Sequence, residues 1–232
     1  MRKRTIVTVS IIAGVVLLGG AAAVAGPIVY RDLIVGEADA APSVTAAPTG
    51  EATADVDVSD LTGSWVVTEG SFAGYRVDEV LNNTDVTVTG RTEEVTGTLE
   101  VEGLTLTAAE FIVDVASIAT DSENRDAYFR DTALRASEFP TATFVLTGPV
   151  TAAEPPAVGE VQQLTATGDL TIAGVTNSVT VELDAVLNGA EGQVAGSIPI
   201  TFADFGVEAP NLGFVSVEPE GFVEFSHEIE PA

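Results

Sequence analysis

Residues 61–232 read as an all-β domain, an antiparallel sheet rolled into a sandwich or barrel, standing behind one N-terminal hydrophobic segment. Three observations predict this. Short runs rich in Val, Thr, Ile and Phe place apolar residues at every second position. Gly, Asn and Pro separate the runs, and a strand with one apolar and one polar face belongs to an antiparallel sheet. Near the N-terminus lies an uncharged apolar stretch, set apart from the strands by a polar spacer.

That stretch, residues 5–25, reads TIVTVSIIAGVVLLGGAAAVA and follows Met1-Arg2-Lys3-Arg4. About 20 apolar residues cross a bilayer core, and the flanking cations hold the short N-terminal tip, residues 1–4, in the cytoplasm. The apolar character runs on through Pro27, Ile28, Val29 and Tyr30 to Arg31-Asp32. Residues 5–30 are therefore expected to be a single-pass transmembrane helix with the C-terminal domain outside the cell membrane. The alternative is a signal peptide cleaved after Ala25, because Ala23-Val24-Ala25 fits a small-residue cleavage site. Either way the domain is extracytoplasmic, and the membrane is a partner through this segment.

Residues 31–60 form the spacer, rich in Ala, Thr, Pro and acids and without aromatics after Tyr30. Such a composition buries too little surface to offset the entropy of ordering, so a flexible stalk is expected. Charge divides at the same place. Arg2, Lys3, Arg4 and Arg31 precede the stalk, leaving five Arg against 35 acids in residues 32–232, a net charge near −30. A domain this acidic repels phosphates, so nucleic acid is not a partner. Cysteine is absent, which excludes disulfides, thiolate metal sites and cysteine nucleophiles.

Within the domain, Val95, Gly97, Leu99 and Val101 share one face, and Phe111, Val113 and Val115 share another. Leu164, Ala166, Gly168, Leu170 and Ile172 oppose Thr165, Thr167, Asp169 and Thr171. Val179, Val181, Leu183, Ala185 and Leu187 repeat the pattern. Thr96–Thr105 and Thr167–Thr176 echo each other as strand, Gly-containing turn and returning strand. Between Thr120 and Pro140 the alternation lapses. Tyr128, Phe129 and Leu134 are spaced too widely for a strand, Asp121 or Ser122 can cap a helix, and Pro140 stops it. This short helical excursion carries Arg125, Arg130 and Arg135, three of the domain's five Arg.

Catalytic parts are wanting. The single histidine, His227, sits on an expected strand beside Phe225 and Ile229, where packing explains it best. No Gly-x-Ser-x-Gly elbow occurs, nor a His/carboxylate cluster at metal-ligand spacing, nor a phosphate-cradling loop. The reading is a protein that is not an enzyme.

Six segments, in order, resemble the YceI-like lipid/polyisoprenoid-binding domains. Gly63-Ser64-Trp65 with Ser71 and Tyr75 is similar to the opening strand, and Val95-Thr96-Gly97 to the next strand entry. Ser117-Ile118-Ala119-Thr120, Asn124-Arg125-Asp126 and Phe129-Arg130 resemble the Ser-Ile-x-Thr and Arg-Asp segment. Phe139-Pro140-Thr141-Ala142-Thr143-Phe144 follows. Gly168-Asp169-Leu170-Thr171-Ile172-Ala173-Gly174-Val175-Thr176 is the most specific match. Phe202-Ala203-Asp204-Phe205-Gly206-Val207 and Val215-Ser216-Val217 complete the series. Three departures stand out: the second strand lacks the family's His, Ala173 replaces another, and the usual Arg before Asp204-Phe205-Gly206 is missing.

The resemblance implies an eight-stranded antiparallel, lipocalin-like barrel around an apolar tunnel, the size at which a barrel holds one small ligand. The implied ligand is an amphiphile: an isoprenoid, a quinone or a fatty-acyl lipid. Phe111, Phe129, Phe139, Phe144 and Phe202 would be tunnel wall, with Arg125 and Arg135 at its mouth for an anionic head group. The competing expectation is a filled barrel without a ligand, serving as a structural or interaction domain of the cell envelope.

Overall fold

The structure is a computed structural model that describes residues 38–46, 57–81, 83–211, 213 and 215–232. The expected membrane segment lies outside the described residues. Among those residues no helix is long and apolar enough to cross a membrane.

Eleven antiparallel strands form one sheet: β1 (Gly63–Val67), β2 (Phe72–Leu81), β3 (Thr84–Thr92), β4 (Val95–Glu102), β5 (Thr105–Asp114), β6 (Thr141–Leu146), β7 (Val150–Thr151), β8 (Val161–Ile172), β9 (Val175–Asn188), β10 (Glu191–Thr201) and β11 (Val215–Pro231). The order β1-β4-β5-β6-β8-β9-β10-β11 returns to β1 through the β1–β11 pairing, so the expected eight-stranded barrel closes. Closure removes most of the free edge that an open sheet of this size would present.

Three joins turn eleven strands into eight staves: β7 continues β6 along β5, and the long β11 shows the second join. Its C-terminal end pairs with β1, and its N-terminal part pairs with β2, so β1 and β2 are one stave with a break between them. Ser71 repairs the ladder at the break. Its hydroxyl accepts the Glu228 amide (2.9 Å) and lies 3.3 Å from the Glu228 carbonyl, which also accepts the Thr68 amide at 2.9 Å. Likewise β3 and β4 are one stave, broken where the Thr92 hydroxyl accepts the Glu94 amide.

The two echoing segments are the β4–β5 and β8–β9 hairpins. In the second, Ala173 and Gly174 both have positive φ (49° and 79°), the geometry of a two-residue turn matched to strand twist. Gly174 is required there twice over, because a Cβ would meet the Phe139 ring at 2.3 Å.

The excursion is helical as expected. Asp114 caps a 3-10 turn, Val115–Ser117, and α2, Glu123–Tyr128, follows Ser122, whose side chain makes no cap bond. A π-helical turn, Phe129–Ala133, continues it. The excursion is joined to the outer edge of β3 by reciprocal backbone bonds between Arg91 and Ala119, both 3.0 Å. A shorter helix, α1 (Val58–Leu61), sits at the opposite end, where the Leu61 carbonyl accepts the Trp65 indole at 3.0 Å.

Residues 38–46, inside the spacer expected to be flexible, lie along the barrel's outer face. The Arg76 and Arg91 guanidiniums donate to the Asp39 and Ala40 carbonyls, and the Thr45 amide donates to Gln193 Oε1 at 2.6 Å. Most of these bonds use the segment's backbone, which composition does not register.

Candidate ligand-binding site

Period-two alternation sends one face of every stave inward. The inward side chains enclose two chambers, so the interior is open and not packed solid. One, of about 260 Å³, lies on the α1 side and is bounded by Leu61, Trp65 and Leu99. The other, of about 760 Å³, lies on the excursion side, bounded by Tyr75, Ile118 and Phe205. Both are lined by Ala73, Val113, Ala142, Leu170 and Val223. These five come from β2, β5, β6, β8 and β11 and form a waist at which the chambers meet. The larger chamber by itself falls in the usual range for small-molecule sites, roughly 300–1,000 Å³.

Aromatic rings would fill this space if they projected inward. They lie along the wall because glycines on neighbouring strands make room. Phe111 stands opposite Gly97, Tyr75 opposite Gly90, and Phe225 opposite Gly196. A Cβ at Gly97 would approach the Phe111 ring to 2.5 Å, and one at Gly90 the Tyr75 ring to 2.5 Å. Phe144 rests on Gly168 in the same way, at 2.3 Å.

The excursion-side chamber carries the charged residues. Tyr75 stacks on Phe129 with ring centroids 4.5 Å apart. Burial holds the Tyr75 hydroxyl protonated well above the ordinary phenol range, against the pull of Arg125. The Arg125 guanidinium donates to Asp121 at 2.5 Å and to the buried Glu79 at 3.3 Å. Burial disfavours its charge, and the two carboxylates outweigh that, leaving its pKa raised. Asp126 accepts both the amide and hydroxyl of Thr120, fixing the loop that presents α2.

The α1-side chamber is mostly apolar, with no charged side chain in its lining among the described residues. The most buried of its few polar residues is His227 on β11, 3 % exposed. The imidazole lies against Phe111 (4.7 Å, 21°) and Phe225 (5.3 Å, 26°). Burial lowers its pKa to about 4, opposed by the Ser226 backbone, so the ring is neutral at pH 7. Nδ1 has no hydrogen-bond partner among the described residues. An unsatisfied buried polar group costs about 1–3 kcal/mol.

Of the residues expected at a site, Phe111 and Phe144 line the α1-side chamber, and Arg125, Phe129 and Phe202 line the other. Arg135 and Phe139 line neither. Arg135 lies over the Phe139 ring at 4.8 Å, donates to the Ala173 carbonyl at 3.3 Å and pairs with Glu138 at 3.7 Å, bracing the β8–β9 turn from outside. Sequence proximity put these arginines on one segment, but the turns within it send them to different neighbours. Tyr75, Glu79 and His227 also face the chambers, and the period-two pattern of their strands is the one sequence signal for it.

The sequence signature of the YceI-like domain matches residues 65–229. Among solved structures, a polyisoprenoid binding domain from Saccharophagus degradans, implicated in plant cell wall breakdown, superposes with a TM-score of 0.60. It is 20 % identical, over 74 % of this chain and 99 % of that one. Burkholderia cenocepacia BcnA superposes with a TM-score of 0.54 at 24 % identity, over 75 % of this chain and 99 % of its own. No curated protein matches the chain by sequence. The two structures share the fold, and the signature spans most of the chain, from the Trp65 strand to the end of β11: this protein belongs to the YceI-like domain family.

Proposed function

We propose that the barrel binds one long-chain amphiphile of the isoprenoid, quinone or fatty-acyl class, and that the N-terminal segment keeps it beside the membrane that supplies the ligand. The carrying observation is the pair of mostly apolar chambers sharing a five-residue waist, which together offer a path for a chain through the barrel. Burial of a chain yields about 0.8 kcal/mol per methylene before ordering costs, so a long tail supplies affinity without catalytic groups. The polyisoprenoid binding named for the Saccharophagus degradans domain agrees with this class.

The head group is inferred to be uncharged. An anionic head would need a free cation, and Arg125 already faces two carboxylates within 3.3 Å. An extracytoplasmic position rests on the apolar run of residues 5–25 and the cations before it. Native mass spectrometry of the full chain, extracted in mild detergent, tests the binding. One lipid-sized adduct per chain, lost on denaturation, is expected. A mass equal to the bare polypeptide under gentle conditions, with no uptake of added polyprenol or quinone, overturns the reading.

A further inference from the structure

We propose that His227 is the hydrogen-bonding anchor of the α1-side chamber and takes an uncharged oxygen of the bound amphiphile, a hydroxyl or a carbonyl. The inference rests on the lipid-binding reading and adds where the ligand's polar atom lies.

Four side chains with polar atoms other than Trp65 line this chamber: Thr143, Gln162, Gln193 and His227. Gln162 donates to the Glu154 carbonyl at 3.3 Å. Gln193 accepts the Thr45 amide at 2.6 Å and donates to the Ser226 hydroxyl at 3.3 Å. Thr143 stands opposite Thr171 on the strand face that carries the Thr171–Thr176 hydroxyl pair. Trp65 spends its indole N–H on the Leu61 carbonyl. His227 alone is left with a buried ring nitrogen that has no partner among the described residues.

Packing does not account for an imidazole at this position. Its in-face neighbours on β11 are Val223, Phe225 and Ile229, and Phe111 covers its face, so a Phe or Leu would meet the same surroundings with no polar atom to satisfy. A lone water would not repair the deficit, since a buried water needs two to four polar partners and this chamber offers few. The chemistry of the ring selects the ligand atom. A neutral imidazole presents one donor and one acceptor, so it can donate to a carbonyl oxygen or accept from a hydroxyl. With no cation in the lining among the described residues, a phosphate or carboxylate finds no counter-charge on them. The two flanking rings stack on the imidazole, which restricts the plane in which its nitrogens can bond.

The chain contains one His and one Trp, and both line this chamber, which makes the test clean. The full chain in mild detergent, stripped of lipid, is titrated with farnesol, with a decyl-substituted benzoquinone and with the hydrocarbon farnesane. Trp65 fluorescence reports occupancy, and the side-chain ¹⁵N signals of the single imidazole report contact with it. The expected result is that farnesol and the quinone shift the imidazole signals while farnesane does not. Farnesol should also bind about tenfold tighter than farnesane, a preference lost in His227→Phe and kept in part by His227→Gln. If all three probes perturb Trp65 but the imidazole responds alike to each, or His227→Phe keeps the preference, the anchor is refuted and lipid binding stands. If no probe reaches Trp65, lipid binding fails and the anchor with it.

Discussion

His227 is where residue chemistry and stability meet. Its ring is held neutral by burial among Phe111, Phe225 and aliphatic side chains, with a pKa lowered from 6.5 to about 4. Among the described residues no charged side chain lines the chamber it faces. The sign follows from proton counting. Between about pH 6.5 and pH 4 the unfolded chain binds a proton at this residue that the folded chain refuses, so acid favours unfolding. The cost is absent above the unfolded pKa, grows as pH falls through this window and is constant below it, reaching about 3 kcal/mol. Urea unfolding of the native chain and of His227→Phe, at pH 7 and at pH 4.5, isolates this contribution from the many carboxylates. The stability difference between the two should move by about 2–3 kcal/mol in favour of the variant at the lower pH. A difference independent of pH would mean that the imidazole titrates normally.

At the scale of the element, glycine opposite an aromatic ring is the device that keeps the barrel open. A Cβ on Gly97 would come within 2.5 Å of Phe111 Cδ1 and 2.9 Å of both the Glu110 carbonyl and Val67 Cγ2. Gly97→Ala must therefore spread β4 from β5 or drive Phe111 into the lumen. Overpacking of this kind costs about 1–3 kcal/mol, and a displaced Phe111 would take volume from the α1-side chamber. Thermal unfolding should show the loss, and uptake of a C15 alcohol should fall further than that of a C10 one. This device also marks how far the sequence could be read. Alternation along β8 and β9 is plain: Leu164, Ala166, Leu170, Val181, Leu183, Ala185 and Leu187 line the α1-side chamber as expected, Ile172 lines the other, and Val179 packs against the core. The glycine–aromatic pairs were not legible, because each joins two strands and depends on register. Glu79 was hidden for the same reason: its partner Arg125 lies 46 residues away. Arg135 and Phe139 carried the motif's residue types, but the left-handed backbone at Arg135 (φ 52°) starts a turn that leads to the β8–β9 hairpin instead of the chamber. The backbone bonds that hold residues 38–46 leave no mark in composition at all.

Across the whole molecule, charge explains why that segment matters. Each of the domain's five Arg has an acidic partner, so the remaining surface is almost entirely anionic. Two of them, Arg76 and Arg91, share Glu224, which is 2 % exposed, and also donate to the backbone of residues 39 and 40. The same short segment ends on Gln193 of β10 and Asn188 of β9, so it crosses the outer face from β3 to β9 and ties separate staves together. Glu224 is the counter-charge that lets two guanidiniums sit beneath it. Glu224→Gln leaves both cations in a poorly hydrated site without compensation, the situation in which a broken buried pair becomes expensive. The expected loss is about 2–3 kcal/mol in urea unfolding, less than for a wholly buried pair because Arg76 keeps 19 % of its side chain exposed. Hydrogen exchange at the Asp39 and Thr45 amides should accelerate with it, since the arginines that clamp the segment are no longer held in place. Asp131→Asn supplies the comparison: its partner Arg130 is well exposed and water screens that pair, so its loss should leave the urea midpoint almost unchanged. Equal effects of the two substitutions would mean that the segment shields nothing and that the barrel stands without its brace.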